Sequence, residues 1–233
     1  MKTVIVIPTY NERENIMRLI PALFDLKISD LEVVVVDDNS PDETGDVALK
    51  FRETYPVYVI KRQRKLGIGT AYLDGFKKAL AIGGEIIFEM DADFSHDPAD
   101  VPRLIDTIIK GADLVIGSRR VTGGKIIGWG LYRYLTSWIA MTLSRLVLGL
   151  KTKDVTAGFR AYRAHVLRAI LNEPIISNGY AFQEEILFRV EKNKFKILEI
   201  PVIFTDRAVG KSKLGSSDIW EFFRVMWRLR RGR

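Results

Sequence analysis

Short runs of β-branched residues alternate with longer, helix-like stretches along the first half of the chain. The run Glu32–Asp37 consists almost entirely of valine, which is typical of a strand buried on both faces of a sheet. Similar runs at Thr3–Pro8, Val57–Lys61 and Glu85–Met90 are each followed by a stretch with helical periodicity. This alternation predicts βαβ units, and therefore an α/β fold with a mostly parallel sheet flanked by helices.

The pattern becomes less regular beyond Gly123, although the chain contains no linker, repeat or low-complexity tract. A Gly-rich bend precedes an apolar helix predicted over Tyr132–Leu148. A strand is predicted over Ile197–Ile203 and a last helix over Asp218–Arg231. We therefore expect one domain over residues 1–233, with a specialised C-terminal third.

The composition limits the kinds of site that the chain can build. The absence of cysteine excludes disulfides, thiolate metal sites and cysteine nucleophiles, and two histidines argue against a histidine-based zinc site. Lysine and arginine number 36 against 29 acidic residues, a net charge of +7. This surplus favours anionic partners, namely nucleotide phosphates, nucleic acid or an acidic membrane face.

We expect no transmembrane helix. The most membrane-like stretch, residues 128–150, carries Arg133 and Arg145 in its interior. The apolar run at Thr3–Pro8 is too short for a signal-peptide core.

Carboxylates follow two of the predicted strands at the points where these strands end. Asp38 follows the valine run, and Asp91 and Asp93 follow the run at Ile86–Phe88. Ligands of open parallel sheets bind at this edge, and two carboxylates at alternate positions can converge on Mg²⁺ or Mn²⁺. A solvated acidic turn is the alternative interpretation of Asp-Ala-Asp.

The exit of the first strand offers groups for a nucleoside. Pro8 fixes the backbone, the Tyr10 ring can stack on a base, and Glu12 can accept a hydrogen bond from a base or ribose. Asp38 can hold a ribose hydroxyl or a base nitrogen. The alternative is a plain strand exit, with Asn11 capping the next helix.

Several motifs share one order and spacing along essentially the whole chain. They are P-T-Y-N-E at 8–12, V-V-D-D-N-S-P-D at 35–42, L-G-I-G-T-A-Y at 66–72, M-D-A-D-F-S-H at 90–96, G-S-R at 117–119, G-F-R-A-Y at 158–162 and R-A-V-G-K-S-K at 207–213. Together they resemble the inverting GT-A glycosyltransferases of family 2, and more narrowly the dolichol-phosphate (polyprenyl-phosphate) mannosyltransferases.

The resemblance implies roles for particular residues. The guanosine of GDP-mannose is expected at Pro8, Tyr10, Glu12, Val36 and Asp38. The metal and diphosphate are expected at Asp91, Ala92 and Asp93, with Ser95 where some members place a glutamine near the metal. The resemblance places the donor near Arg119, Arg207 and Lys213. It places the acceptor phosphate near Arg119, Arg133, Ser137 and Arg207. The residues expected to carry catalysis are Asp93, Arg119 and Arg133.

The resemblance also implies a reaction, transfer of mannose from GDP-mannose to polyprenyl phosphate with inversion, at the cytoplasmic face of a membrane. Residues 1–122 would then bind the nucleotide sugar, and residues 123–233 would face the lipid acceptor. Leu131–Leu150 and Trp220–Arg233 combine apolar and basic residues, as interfacial helices do, although a core helix is an alternative for the first. A transmembrane tail or a small membrane subunit could complete the attachment.

Three alternatives remain open. A polyprenyl-phosphate glucosyl- or hexosyltransferase using a UDP-sugar would have the same fold. A soluble glycosyltransferase with a sugar acceptor would need a carboxylate base, for which Glu184 and Glu185 are candidates. The net charge also allows a nucleic-acid-binding protein, but the acidic strand ends and the absence of a known reading motif argue against nucleic acid as a partner.

Overall fold

The computed structural model describes residues 1–177, 179, 181–206 and 216–232. Its nine described strands are β1 (Thr3–Thr9), β2 (Leu31–Asp37), β3 (Val57–Lys61), β4 (Ile86–Glu89), β5 (Leu114–Ser118), β6 (Lys125–Ile127), β7 (Arg160–Arg163), β8 (Ile197–Pro201) and β9 (Ile203–Thr205). Its eight described α-helices are α1 (Arg13–Asp25), α2 (Thr44–Lys50), α3 (Ile68–Ala81), α4 (Val101–Ile109), α5 (Leu131–Leu148), α6 (Ala164–Ile170), α7 (Phe182–Lys192) and α8 (Ser216–Arg231).

Seven strands form one sheet in the order β3-β2-β1-β4-β7-β5-β8. All neighbouring pairs are parallel except those of β7, which runs antiparallel to both β4 and β5. Strands β6 and β9 form a separate parallel pair. The sheet therefore combines strands from both halves of the chain.

Helices cover both faces of the sheet, because alternate side chains of each central strand point to opposite sides. One core joins Val4 and Val6 to residues of α3, α6, α7 and α8. The other joins Ile5 and Ile7 to residues of α1, α2 and α4. Helix α3 packs directly on β1, because a Cβ atom at Gly75 would lie 2.2 Å from the Cγ1 atom of Val6.

The predicted strands of the first half are confirmed to within a residue or two, but three features of the second half differ. The short strand β6 was not predicted, because it lies within the Gly-rich bend. Strand β7 was not predicted, because its sequence Arg-Ala-Tyr-Arg lacks the β-branched residues that favour strands. The prediction of one strand over Ile197–Ile203 is wrong. The chain passes at Pro201–Val202 from the large sheet to the small one, and proline has no N–H with which to continue a ladder.

Within the described part of the chain, no helix is long and apolar enough to cross a membrane.

Candidate functional site

A cleft of about 210 Å³ lies beyond the carboxyl ends of β1, β2 and β4. The donor-site candidates that line it are Pro8, Tyr10, Glu12, Asp38, Asp91, Ala92 and Asp93. They meet because these strands are parallel neighbours, so residues distant in sequence reach the same edge of the sheet.

The two carboxylates after β4 are oriented by their neighbours. Asp91 Oδ1 accepts a hydrogen bond from the Tyr72 hydroxyl at 3.0 Å. Asp93 Oδ1 accepts one from the Ser95 backbone N–H at 3.1 Å. Both carboxylates line the cleft, and their hard oxygen atoms are the ligands that Mg²⁺ and Mn²⁺ prefer. The described residues contain no cluster of three or more acidic, histidine or cysteine ligands. A cation here would therefore depend on substrate oxygens as well.

A largely buried polar network lies behind these carboxylates. Glu89, at the end of β4, accepts hydrogen bonds from the Tyr162 hydroxyl at 2.7 Å and from the Gln183 amide at 2.8 Å. Burial raises the pKa of Glu89, although the charge of Arg160 opposes this effect. Arg160 donates to the backbone oxygens of Ala157 and Val155. The network fixes the end of β4, from which the chain enters the cleft.

The Asp38 carboxylate holds a loop of the protein itself. It accepts hydrogen bonds from Arg62 Nη1 at 3.0 Å, from Leu66 N at 3.0 and 3.1 Å and from Gly67 N at 3.1 Å. Gly67 has φ +100°, a conformation that L side chains rarely adopt. The loop places the Lys65 ammonium 4.0 Å from the centroid of the Tyr10 ring.

Arg119, at the end of β5, forms a buried ion pair with Asp154. Its Nε and Nη2 atoms lie 2.8 and 2.6 Å from the two carboxylate oxygens. Burial alone would raise the pKa of Asp154, but the charge and hydrogen bonds of Arg119 outweigh it, so this pKa lies below its ordinary value. Arg119 therefore contributes to the stability of the fold as well as to the charge of the site.

Arg133 lies near Arg119 in a cluster of cations and aromatic rings. Its Nη1 atom is 2.7 and 2.8 Å from the carboxylate oxygens of Asp206. The Trp129 ring contacts both cations, at 4.4 Å from the Arg133 guanidinium carbon and 5.6 Å from that of Arg119. Ser137 is half-buried one helical turn after Arg133 on α5.

His96 connects the cluster to the cleft. Its ring stacks on Phe159 at 5.1 Å and meets the edge of Phe204 at 5.8 Å, and Phe204 lies under the Arg119 guanidinium. Burial lowers the pKa of His96 to about 4, and the charges of Asp93 and Arg119 act on it in opposite directions. His96 is thus a neutral ring between the carboxylates and the arginines.

A comparison with known protein families matches residues 4–171 to glycosyl transferase family 2. The chain belongs to this family. The prediction of a glycosyltransferase is therefore confirmed, and family membership favours an enzyme over the nucleic-acid-binding alternative.

Curated relatives of this family 2 glycosyltransferase include an undecaprenyl-phosphate mannosyltransferase from Micrococcus luteus. It is 44% identical over 222 residues, which cover 95% of this chain and 90% of the relative. A polyprenol monophosphomannose synthase from Mycolicibacterium smegmatis is 43% identical over 98% of this chain and 88% of the relative. A dolichol-phosphate mannosyltransferase from Pyrococcus furiosus is 41% identical over 98% of this chain and 64% of the relative. These relatives confirm the resemblance inferred from the motifs.

Among solved structures, the chain is similar to glucosyl-3-phosphoglycerate synthase from Mycobacterium tuberculosis. Its complex with Mn²⁺, UDP-glucose and phosphoglyceric acid has a TM-score of 0.71 and 20% identity, over 98% of this chain and 79% of that one. The predicted GT-A fold, with a mostly parallel sheet flanked by helices, is confirmed.

Some predicted site residues lie elsewhere or serve another purpose in this structure. The Val36 side chain is fully buried in the core and does not line the cleft. The Ser95 hydroxyl is buried without a hydrogen-bond partner among the described residues, while its N–H orients Asp93. Arg207 and Lys213 lie outside the described residues.

Sequence reasoning did not identify several residues of the site. Asp154 lies in a polar turn, and Tyr72 is an aromatic residue on a core face of a helix, so neither has a local chemical signal. Arg62 and Lys65 belong to a basic stretch before a glycine, and only the fold brings them to Asp38 and Tyr10.

Proposed function

We propose that this protein transfers mannose from GDP-mannose to a polyprenyl phosphate, with inversion at the anomeric carbon. The observation that carries the proposal is the juxtaposition, across His96, of a cleft with two carboxylates and a cluster of arginines. A nucleotide diphosphate and a lipid phosphate need these two environments side by side. The curated relatives named above, at 41–44% identity, support the sugar and the lipid class.

The donor is proposed to lie in the cleft, with its base near Tyr10 and its diphosphate near Asp91 and Asp93. When bound there, Mg²⁺ or Mn²⁺ would neutralise the charge that develops on the departing diphosphate. Asp91 is held by Tyr72, and Asp93 by the Ser95 N–H, so both carboxylates are preorganised.

The acceptor requires no catalytic base. A phosphate monoester has a second pKa of about 6 and is largely dianionic at neutral pH. Glu185 accepts hydrogen bonds from Ile176 N, from Ser177 N and Oγ and from Arg189, which is a structural role. Glu184 is 4% exposed and does not line the cleft. The buried state of both glutamates therefore favours a phosphate acceptor over a sugar acceptor.

The lipid is proposed to approach along α5 and α8, which pack beside each other through their apolar residues. Both helices also expose large apolar side chains, among them Leu131 at 84%, Leu146 at 75%, Trp138 at 52% and Trp227 at 53%. On α8, the arginines Arg228, Arg230 and Arg231 follow Trp227 in the last turn of the helix. Such a surface suits a peripheral position on an anionic membrane, where residues 123–233 would face the acceptor and residues 1–122 the nucleotide.

The test is transfer of radiolabelled mannose from GDP-mannose to polyprenyl phosphate, with and without Mn²⁺, beside a parallel assay with UDP-glucose. Asp93→Ala should abolish transfer while the thermal unfolding midpoint stays unchanged. Asp106→Ala, which removes an exposed carboxylate on α4, is the matched control and should keep full activity. Faster transfer of glucose from UDP-glucose would replace the proposed donor, and activity of Asp93→Ala would remove its assignment to the metal.

A further inference from the structure

Arg119, Arg120 and Arg133 each lie against an aromatic ring in the cluster beside the cleft, but they differ in whether a carboxylate pairs with them. Arg119 is paired with Asp154 at 2.6 Å, and Arg133 is paired with Asp206 at 2.7 Å. Each of these guanidinium groups already has a carboxylate partner. Their positive charge is therefore largely neutralised before any anionic ligand arrives.

Arg120, directly after Arg119, has no such partner within the described ranges. Its guanidinium lies over the Tyr134 ring, with the central carbon 4.6 Å from the ring centroid. Its Nε and Nη2 atoms are buried and have no hydrogen-bond partner among the described residues. The indole Nε1 of Trp129, in the same cluster, is likewise buried and without a partner there. The charge of Arg120 helps to lower the pKa of Asp154, but the described donors to the Asp154 carboxylate are on Arg119 and not on the Arg120 side chain.

Buried N–H donors without acceptors are unfavourable, and native proteins satisfy the great majority of them. A charged donor without an acceptor is the most unfavourable kind. Such a group is retained most readily where a ligand supplies the acceptor, and a planar guanidinium matches the oxygens of a phosphate with two parallel hydrogen bonds.

We propose that Arg120 binds the phosphate monoester of the lipid acceptor, assisted by the Trp129 N–H. This inference rests on the proposed function, because it assigns a residue to the acceptor side of the same site. Arg119 and Arg133 then shape the pocket, whereas Arg120 supplies a cation that has no ion-pair partner among the described residues. The adjacent ring of Tyr134 keeps the guanidinium partly dehydrated, which strengthens its hydrogen bonds to phosphate.

The first experiment compares wild type, Arg120→Ala and Arg120→Lys in steady-state transfer, with the full chain and polyprenyl phosphate in detergent micelles. Arg120→Ala should lower kcat/KM for polyprenyl phosphate about 10- to 100-fold, as expected for the loss of hydrogen bonds to a charged group. Arg120→Lys should lie between the two, because lysine keeps the charge but not the fork. The affinity for GDP should stay within about twofold in all variants.

Arg52→Ala is the matched control, because it removes one exposed arginine from the turn 51–53 and changes the net charge equally. It should leave both substrates unaffected. The thermal unfolding midpoint of Arg120→Ala should equal or exceed that of wild type, since the substitution removes a buried cation without a carboxylate partner. Equal losses toward donor and acceptor, or no loss toward the acceptor, would overturn the inference.

A binding experiment separates this inference from the proposed reaction. Calorimetry with geranyl phosphate should show about 10-fold weaker binding to Arg120→Ala than to wild type, whichever sugar the enzyme transfers. Inorganic phosphate should show the same order of variants at lower affinity. Vesicles with phosphatidylglycerol and no isoprenyl phosphate should bind both proteins equally. A selective loss of vesicle binding in Arg120→Ala would instead assign Arg120 to bulk membrane headgroups and refute the acceptor role.

Discussion

The hydroxyl of Tyr72 offers a direct test of how the carboxylate pair is organised. This side chain is fully buried in α3, where its ring stacks on Phe182 with a centroid distance of 6.0 Å. Burial, together with the charge of Asp91, raises its pKa well above the ordinary value, so the hydroxyl remains a donor at any working pH. Tyr72→Phe keeps the packed ring and removes the hydrogen bond of 3.0 Å to Asp91.

The expected magnitude follows from that contact. A hydrogen bond to a charged group contributes about 1.5–3 kcal/mol, which corresponds to about 10- to 100-fold in a binding constant. Residues that orient metal ligands commonly have effects of this size on metal affinity. Tyr72→Phe should therefore weaken the binding of Mn²⁺ in the presence of GDP by about 10- to 100-fold, with a smaller effect on GDP alone.

Electron paramagnetic resonance of free Mn²⁺, titrated with protein and GDP, measures this affinity. Tyr162→Phe is the matched control, because its hydroxyl donates to Glu89 rather than to Asp91. That variant should lose stability and keep its Mn²⁺ affinity. If Tyr72→Phe binds Mn²⁺ within twofold of wild type, or if both variants lose affinity equally, the positioning role of Tyr72 is refuted.

Three further predictions concern buried charges. Asp154→Asn leaves Arg119 buried without its carboxylate, so urea unfolding should show a loss of about 3–5 kcal/mol, and a loss under 1 kcal/mol would contradict the ion pair. Asp38→Asn weakens the ion pair with Arg62 and the hydrogen bond from Gly67, so it should lower both the stability of the fold and the affinity for GDP. A loss of GDP affinity without a loss of stability would assign Asp38 solely to the ligand. Burial raises the pKa of Glu184 from 4.5 to about 7. Its contribution to folding is therefore fully present below about pH 4.5 and declines as pH rises through 7, by about 3 kcal/mol in all. Glu184→Gln should flatten that decline in unfolding measurements at pH 4.5 and 8, and an unchanged slope would contradict it.

The helices at the proposed membrane face illustrate what stays a prediction. Their combination of exposed apolar rings and arginines is visible in the sequence, and the structure describes where they pack. Attachment to a membrane through this face is a prediction, and the vesicle-binding measurement described above tests it.

The local pattern of the chain was sufficient for the first half of the fold. Valine-rich runs have to be buried on both faces, so β2 and its neighbours could be placed by hydropathy alone. The carboxylates of Asp91 and Asp93 were also identifiable, because ligands of parallel sheets bind where the strands end. Strand β7 could not be predicted, since Tyr162 and Arg163 form their side-chain hydrogen bonds with residues far away in the chain.

The partners of each charge were decided by the tertiary structure. Arg119, Arg120 and Arg133 are the same residue type, and neither composition nor periodicity indicates which of them has a carboxylate partner. Only the fold brings Asp154 to Arg119 and Asp206 to Arg133, and it leaves Arg120 without a carboxylate at ion-pair distance among the described residues. The hydropathy pattern involves residues close together in the sequence, so it indicates where helices and strands form. Electrostatic balance depends on distances across the fold, and these exist only once the chain has packed.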